Sequence, residues 1–329
     1  MKYLRYAFLS VTFLQIAAFA ADPGLLKLVM PDAKVLAGMQ VAQAKISPFG
    51  QYVLGRMQPD DPGFQNFINS TGFDPRTDLT EIVIASNWQG DQKGQWLVLA
   101  RGSFNPATIT AAVQSHGGLV TSFQGVNILA PNGKTAQTSD SVVALLDNST
   151  ALMGDMAGVQ AAIQRAQGTA PAGFVAPDKV NQLSAQYDFW FLTLVPLSEF
   201  SGVVPNQNVG QAMQGNLFQA VLQASGGARF GAQNVMFGAE ALTRSDKDAS
   251  ALVDVVKFIA GLLQTNKSQN STASQVSTLL DTMTVQASGS TMTMALTVPE
   301  ATMEQLFQGS GTHQQARAHR KHAPAAPVQ

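Results

Sequence analysis

Apolar and polar positions along this chain fall into short blocks of two periods, and the two kinds alternate. Residues 33–41 read as a first strand. Ser47-Pro48 then opens a helix with Phe49, Tyr52, Val53 and Met57 at helical spacing, Ser serving as N-cap and Pro as first helical residue. Asp60-Asp61-Pro62-Gly63 breaks that pattern, and a short helix is expected from Phe64 to Ser70. Thr80 to Ser86 and Gln95 to Ala100 are β-rich, and the turn-forming residues between them predict a hairpin with Trp88 near its tip.

Asn105-Pro106 starts the next helix and Gly117-Gly118 stops it. Strands follow at Leu119 to Phe123, Val126 to Leu129, Ser141 to Leu146 and Thr150 to Met153, and a helix covers Met156 to Ala166. Gly, Pro and Ala dominate Gly168 to Pro177, which reads as a linker. Beyond it the pattern predicts a strand apolar on both faces at Tyr187 to Val195. A helix at Leu217 to Ala224, stopped by Gly226-Gly227, comes next, and then a strand at Asn234 to Thr243. Ser245 with Asp248 forms a capping box for an amphipathic helix reaching Thr265. A helix at Ser274 to Met283, a hairpin of Thr284 to Gln286 with Met292 to Val298, and a short helix from Glu300 to Phe307 complete the folded part.

Hairpins grouped between helices predict an α+β fold with antiparallel sheets and packed helices. Strand, capped helix, hairpin and closing helix recur in the same order in Leu97 to Ala166 and in Val235 to Phe307. That order fits an internal duplication and fits equally two unrelated halves of one class. The expected organisation is a leader (1–20), a first half (21–167), a linker (168–178), a second half (179–308) and a tail (309–329). The tail is rich in basic residues, His, Ala and Pro, lacks apolar periodicity and reads as disordered.

The leader has the layout of a secretory signal peptide: Lys2 and Arg5, an apolar stretch from Tyr6 to Phe19, and small residues at Ala18 and Ala20. Cleavage is expected between Ala20 and Ala21, since Asp22 and Pro23 end the run short of the roughly 20 residues a span needs. The expected location is therefore periplasmic or secreted, with no integral span left after the leader is removed. With no Cys among 329 residues, there is no lipid-attachment cysteine, thiol nucleophile or Cys-ligated metal. A chain this long can bury a core without disulfides.

Charged residues make up only 12% of the chain, about half the usual share of roughly 25%. Without Lys2 and Arg5 the 20 basic residues become 18 against 21 acidic ones, a net charge of −3 that offers nucleic acid no footprint. Three of the four histidines (His313, His319 and His322) lie in the tail, which leaves His116 alone in the body, at the end of a helix where a cation is favourable. Chemistry that leans on imidazole is correspondingly disfavoured. Gly133-Lys134-Thr135 lacks the first glycine of a phosphate loop, and Gly226-Gly227 with Gly231 is not fed by a strand as a dinucleotide site requires. Asp60, Asp61, Asp74, Asp78, Glu81, Glu199 and Glu240 remain as candidates for carboxylate chemistry, but several sit in turns, where Asp is a good turn former.

These observations predict a non-enzymatic binding or interaction module of the cell envelope, with no catalytic residue, cofactor or metal. Its partner would be an envelope protein, contacted through Trp88, or a small apolar ligand. Two alternatives stand beside it. One is a carrier of an apolar small molecule or lipid in a pocket between the halves, and the other is a hydrolase of envelope glycans using two carboxylates.

Three segments also carry a resemblance: Pro31 to Met39, Ser47 to Leu54 and Phe73 to Glu81. Together they resemble a family of uncharacterised bacterial exported proteins, over most of the chain apart from the tail. The resemblance implies a bacterial periplasmic or secreted setting and brings no activity and no site residues.

Overall fold

The computed structural model describes residues 20–56, 61–88, 90, 94–130, 141–202, 215–265, 279–280 and 282–305. Residues 1–19 of the leader, the tail, the Gly133-Lys134-Thr135 turn, Asp60 and most of the helix expected from Ser274 to Met283 lie outside these residues.

Among the described residues, twelve strands form one continuous antiparallel sheet. In chain order they are β1 (Val35–Met39), β2 (Leu79–Ser86), β3 (Trp96–Gly102), β4 (Leu119–Phe123), β5 (Val126–Ala130) and β6 (Val142–Leu145). They continue with β7 (Thr150–Gly154), β8 (Phe189–Thr193), β9 (Val221–Phe230), β10 (Asn234–Thr243), β11 (Thr284–Ser288) and β12 (Thr291–Pro299). Across the sheet the order is β11-β12-β10-β9-β8-β1-β2-β3-β7-β6-β5-β4. The expected α+β class with antiparallel pairing is what the chain adopts.

The two halves meet where β1 pairs with β8, Gly38 opposite Trp190. Outward from that seam β1, β2, β3, β7 and β6 follow one another on one side, and β8, β9, β10, β12 and β11 on the other. The β4–β5 hairpin lies beyond β6, at one edge of the sheet.

Pairing register assigns each residue to a face, because partners in adjacent strands point the same way and neighbours along a strand alternate. On one face Leu36, Ala85 and Leu97 form a cross-strand row, and Val83, Leu99 and Leu152 form another. All six are fully buried in the main core. The helices α1 (Pro23–Leu26), α7 (Met156–Ala166) and α8 (Pro177–Gln186) contribute Leu25, Ile163 and Val180 to that core. On the opposite face Phe191, Ala37, Ile84, Val98, Met153, Val143 and Leu129 stand in one row across seven strands. Both faces of the first half are therefore apolar, and both need cover.

In the second half that opposite face is covered by the long helix Asp246–Thr265, whose Leu252 and Val253 pack against Ala241 and Met292. Its start carries the N-cap half of the expected capping box: Ser245 Oγ accepts from the Asp248 N–H at 3.2 Å and donates to the Asp248 carboxylate at 2.9 Å. In the first half the cover is shorter, consisting of α4 (Pro62–Thr71) and α6 (Pro106–Ser115). The helices α2 (Val41–Ile46) and α3 (Pro48–Arg56) lie near the seam, and α5 (Pro75–Asp78) leads into β2.

Three expectations need correction. The helix expected from Leu217 to Ala224 is a single turn, Asn216–Gln219, followed by β9, so Gly226-Gly227 lies inside a strand and stops no helix. A Cβ on Gly226 would collide with the Gly238 carbonyl, and one on Gly227 would stand 2.5 Å from Cγ of Tyr187. These glycines permit close approach instead of ending an element. Next, the linker ends before Pro177, which is the first residue of α8, preceded by Ala176 at a left-handed φ of 61°. The sequence reading had no helix there. Last, the 3₁₀ turn Leu197–Phe200 and the short helices α1, α2 and α5 were also unforeseen, each being too brief to show a period.

Candidate functional site

α4 and α6 are well-specified helices. Asp61 caps α4 by accepting the Phe64 N–H at 2.8 Å, Pro62 begins it, and Gly72 ends it at φ 67°. Asn105 caps α6 by accepting the Thr108 N–H at 3.1 Å, and Pro106 begins it. The pair is fixed at its ends, yet it does not fill the space above β2, β3, β7, β6 and β5.

A cavity of about 490 Å³ remains between these helices and the sheet. Ile82, Val98, Met153, Val143 and Leu129 form its floor, and Phe67, Phe73, Phe104, Ile109 and Val113 stand along its walls. Phe67 meets Phe73 edge-on at 6.2 Å, and Phe73 meets Phe104 at 5.1 Å, so the aromatic wall is continuous. No lining residue is ionisable, and the polar ones are Thr71 and Ser141. The Thr71 hydroxyl is already committed to the Phe67 carbonyl at 2.6 Å. Met153 is 41% exposed, so part of the floor lies open to the space above it.

A second cleft of about 490 Å³ adjoins the first and shares Phe67, Thr71 and Val113 with it. It adds the polar side chains Asn66, Ser70 and His116 to a lining that also includes Gly63, Ala112 and Gly118. The Nδ1 of His116 lies 2.8 Å from the Ala112 carbonyl, which can only accept, so Nδ1 carries a hydrogen. His116 has no acidic partner among the described residues. It caps α6, as its position before Gly117 implies.

A third cavity, of about 540 Å³, lies in the second half between α8 and the sheet and is polar. Lys179 and Glu240 form an ion pair there at 2.9 Å, with Arg229 and Tyr187 beside them. Burial, and then the Glu240 charge, push the Tyr187 phenol above its ordinary value. The apolar space thus lies within the first half, not between the halves as expected.

The remaining candidates are placed as follows. Trp88 is half-buried and stacks on Phe200 at 4.9 Å, and its Nε1 is enclosed without a partner, so it faces into the structure and not outward from a hairpin tip. Asp61 and Asp74 are helix caps, and Arg76 holds the Asp74 carboxyl below its ordinary range. Asp78 accepts the Asp74 N–H at 2.7 Å. Glu199 lies in the 3₁₀ turn with Phe200. Glu81 does meet another carboxylate, Asp22, in a cluster with Arg101, but neither acid lines these cavities. Among the described residues no three His, Asp or Glu side chains gather as metal ligands would, and no helix is long and apolar enough to cross a membrane.

Sequence reasoning missed the cavity because its floor and walls come from five strands, two helices and the segments around Phe73 and Phe104. The continuous apolar runs of β2, β3, β6 and β7 were the available signal, since each is apolar at both odd and even positions.

No protein-family model matches this chain, and no curated protein matches it. Solved structures of TP0453 are similar. Crystal form III aligns with a TM-score of 0.55 and 9% identity over 88% of this chain and 99% of that one. Crystal form IV aligns with a TM-score of 0.50 and 9% identity over 86% and 95%. At this identity the likeness establishes a shared fold and nothing further.

Proposed function

We propose that this protein is an exported, non-enzymatic carrier of one apolar chain, such as the acyl chain of a lipid, held between α4, α6 and the sheet. The observation that carries the reading is a chamber of about 490 Å³ with no ionisable group in its lining. That volume lies within the range of roughly 300–1,000 Å³ of small-molecule sites. Water gains little from such walls, whereas an apolar chain buried there gains about 25 cal/mol for each Å² removed from water. The adjoining cleft with Asn66, Ser70 and His116 supplies hydrogen-bonding groups for the polar end of an amphiphile. Export rests on the leader, with its basic start, apolar run and Ala18/Ala20 pair.

Native mass spectrometry of the protein purified from its own host tests this directly. A bound mass that organic extraction removes, and that returns on adding a fatty acid, is the expected result. A clean protein mass together with no uptake of fatty acid would sink the carrier reading.

A further inference from the structure

The chain changes from exposed to buried between Ala20 and Ala21. Ala20 is exposed, whereas Ala21 is 1% exposed and belongs to the main core with Leu25, Leu36 and Leu97. Buried backbone N–H groups are nearly always paired, yet that of Ala21 makes no hydrogen bond among the described residues. One residue further on, the Asp22 N–H is shared between the two carboxylate oxygens of Glu81, at 3.0 and 3.2 Å. Glu81 is 7% exposed.

The charges around Glu81 do not balance. Arg101 faces both carboxylates, but its direct ion pair, at 2.9 Å, is with Asp22. Asp147 faces the same guanidinium, so three acids share one cation, and Glu81 is a buried one that has no direct ion pair with it. Buried charges are tolerated when paired. The missing element is a cation within reach of Glu81 and close to Ala21.

We propose that Glu81 is the counter-ion of the α-ammonium group created by cleavage between Ala20 and Ala21, so that removal of the leader completes a buried ion pair at the edge of the core. The inference rests on the export reading above. Hydrolysis breaks the Ala20–Ala21 C–N bond with one water: its oxygen leaves on Ala20 as carboxylate, and its two hydrogens convert the Ala21 nitrogen to ammonium. Successive backbone nitrogens lie no more than about 3.7 Å apart, so the new cation starts within about 7 Å of Glu81 and, once untethered, is free to close on it. Gln40, itself 7% exposed, hydrogen-bonds Glu81 and also donates to the Ala20 carbonyl at 3.5 Å, and it loses the second partner when the leader departs. The peptidase meets the chain while it is extended, and folding buries the new terminus afterwards.

Three measurements test this. The intact mass of the protein from its own envelope should begin at Ala21; an uncleaved chain fails the export reading, and cleavage elsewhere overturns the pairing as a product of maturation. A chain made to start at Ala21 should melt about 3 °C or more above one retaining Ala20, and the difference should vanish in Glu81→Gln. Equal melting with Glu81 in place, or an unchanged difference in Glu81→Gln, overturns the proposal. Should Glu81→Gln fail to fold, ¹⁵N titration of the Ala21 amine in the otherwise unaltered chain decides. A value above the free α-amino range of about 7.7–8.0 is expected, and a value within it overturns the pairing while leaving export intact.

Discussion

The indole of Trp190 occupies the space that a side chain on Gly38 would need. An ideal Cβ on Gly38 would stand 2.6 Å from Trp190 Nε1, with two ring carbons closer still. The two residues are register partners at the β1–β8 seam, and Trp190 is fully buried. The relationship extends along the same row: Trp190 faces Gly227 in β9, which faces Gly238 in β10, and Tyr187 lies against both glycines. Two aromatic rings thus lie in a trough made by three glycines across the junction of the halves.

Gly38→Ala should therefore destabilise the protein by about 1–3 kcal/mol, the usual cost of overpacking. Its melting temperature would fall by roughly 2–4 °C for each kcal/mol. Trp190→Phe shortens the ring, so Gly38→Ala should cost less in that background. A thermal-melt cycle of the four chains measures the coupling, and additive losses would show that the ring is not what the methyl group meets.

The same trough shows where sequence reading reaches its limit. Helices with side-chain caps and long apolar faces were legible: α6 from Asn105-Pro106, α7 over Met156–Ala166, and the long helix from Ser245 to Thr265. So were the hairpins β2–β3, β6–β7 and β11–β12, because their turns and patterns are local, whereas β9–β10 was not, its first strand reading as a helix. Gly226-Gly227 misled because a glycine pair serves equally to end a helix and to admit a ring from another element, and only the position of Tyr187 decides between them. The cavity was illegible for a related reason. Apolar residues at successive positions in β2, β3, β6 and β7 announce that both faces are apolar, but how much of one face α4 and α6 leave uncovered depends on packing.

Ala100 and Ala151 are paired across β3 and β7 and both line the apolar cavity. Ala100→Phe should place a ring in that space and weaken fatty-acid uptake at least about tenfold, which is 1.4 kcal/mol. Stability should hold or rise by about 0.5–2 kcal/mol, as cavity filling commonly gives. Lys179→Ala, in the polar cavity of the other half, should leave uptake unchanged. Titration with a fluorescent fatty acid, alongside thermal melts, reads both. Full uptake by a folded Ala100→Phe chain would move the ligand out of this cavity.

Trp88 was a candidate for partner contact, yet its ring is stacked on Phe200 and its Nε1 is enclosed without an acceptor. Trp88→Phe keeps a ring against Phe200 and removes a donor whose burial costs about 1–3 kcal/mol. It should be neutral or stabilising. Trp88→Ala forfeits the aromatic contact, worth about 0.5–1.5 kcal/mol beyond the area it buries, and should melt lower. Equal losses in the two variants would mean that the indole N–H has a partner, and a bound protein would be the first to look for.

Asp22 provides the pH-dependent contribution whose sign is clear. Burial disfavours its charge, but hydrogen bonds from Arg101 and from the Leu25 and Gly24 N–H groups outweigh that, so its carboxyl is held below the ordinary 3.8. A depressed folded pKa stabilises above the unfolded value and loses that contribution as pH falls through the folded value. Glu81 works the other way: burial, and then the neighbouring Asp22 charge, raise it above 4.5, so its ionisation opposes folding at neutral pH. Asp22→Asn preserves a good N-cap for α1 while removing the charge that Arg101 faces. At pH 7 it should cost about 0.2–1 kcal/mol, the range of partly exposed ion pairs. The difference from the parent chain should shrink as the pH drops below about 3.8 and be gone once Asp22 is protonated in both states. Urea unfolding at pH 7, 5 and 3 measures it. A gap that stays constant across that range would assign the effect of Asp22 to its cap and not to its charge.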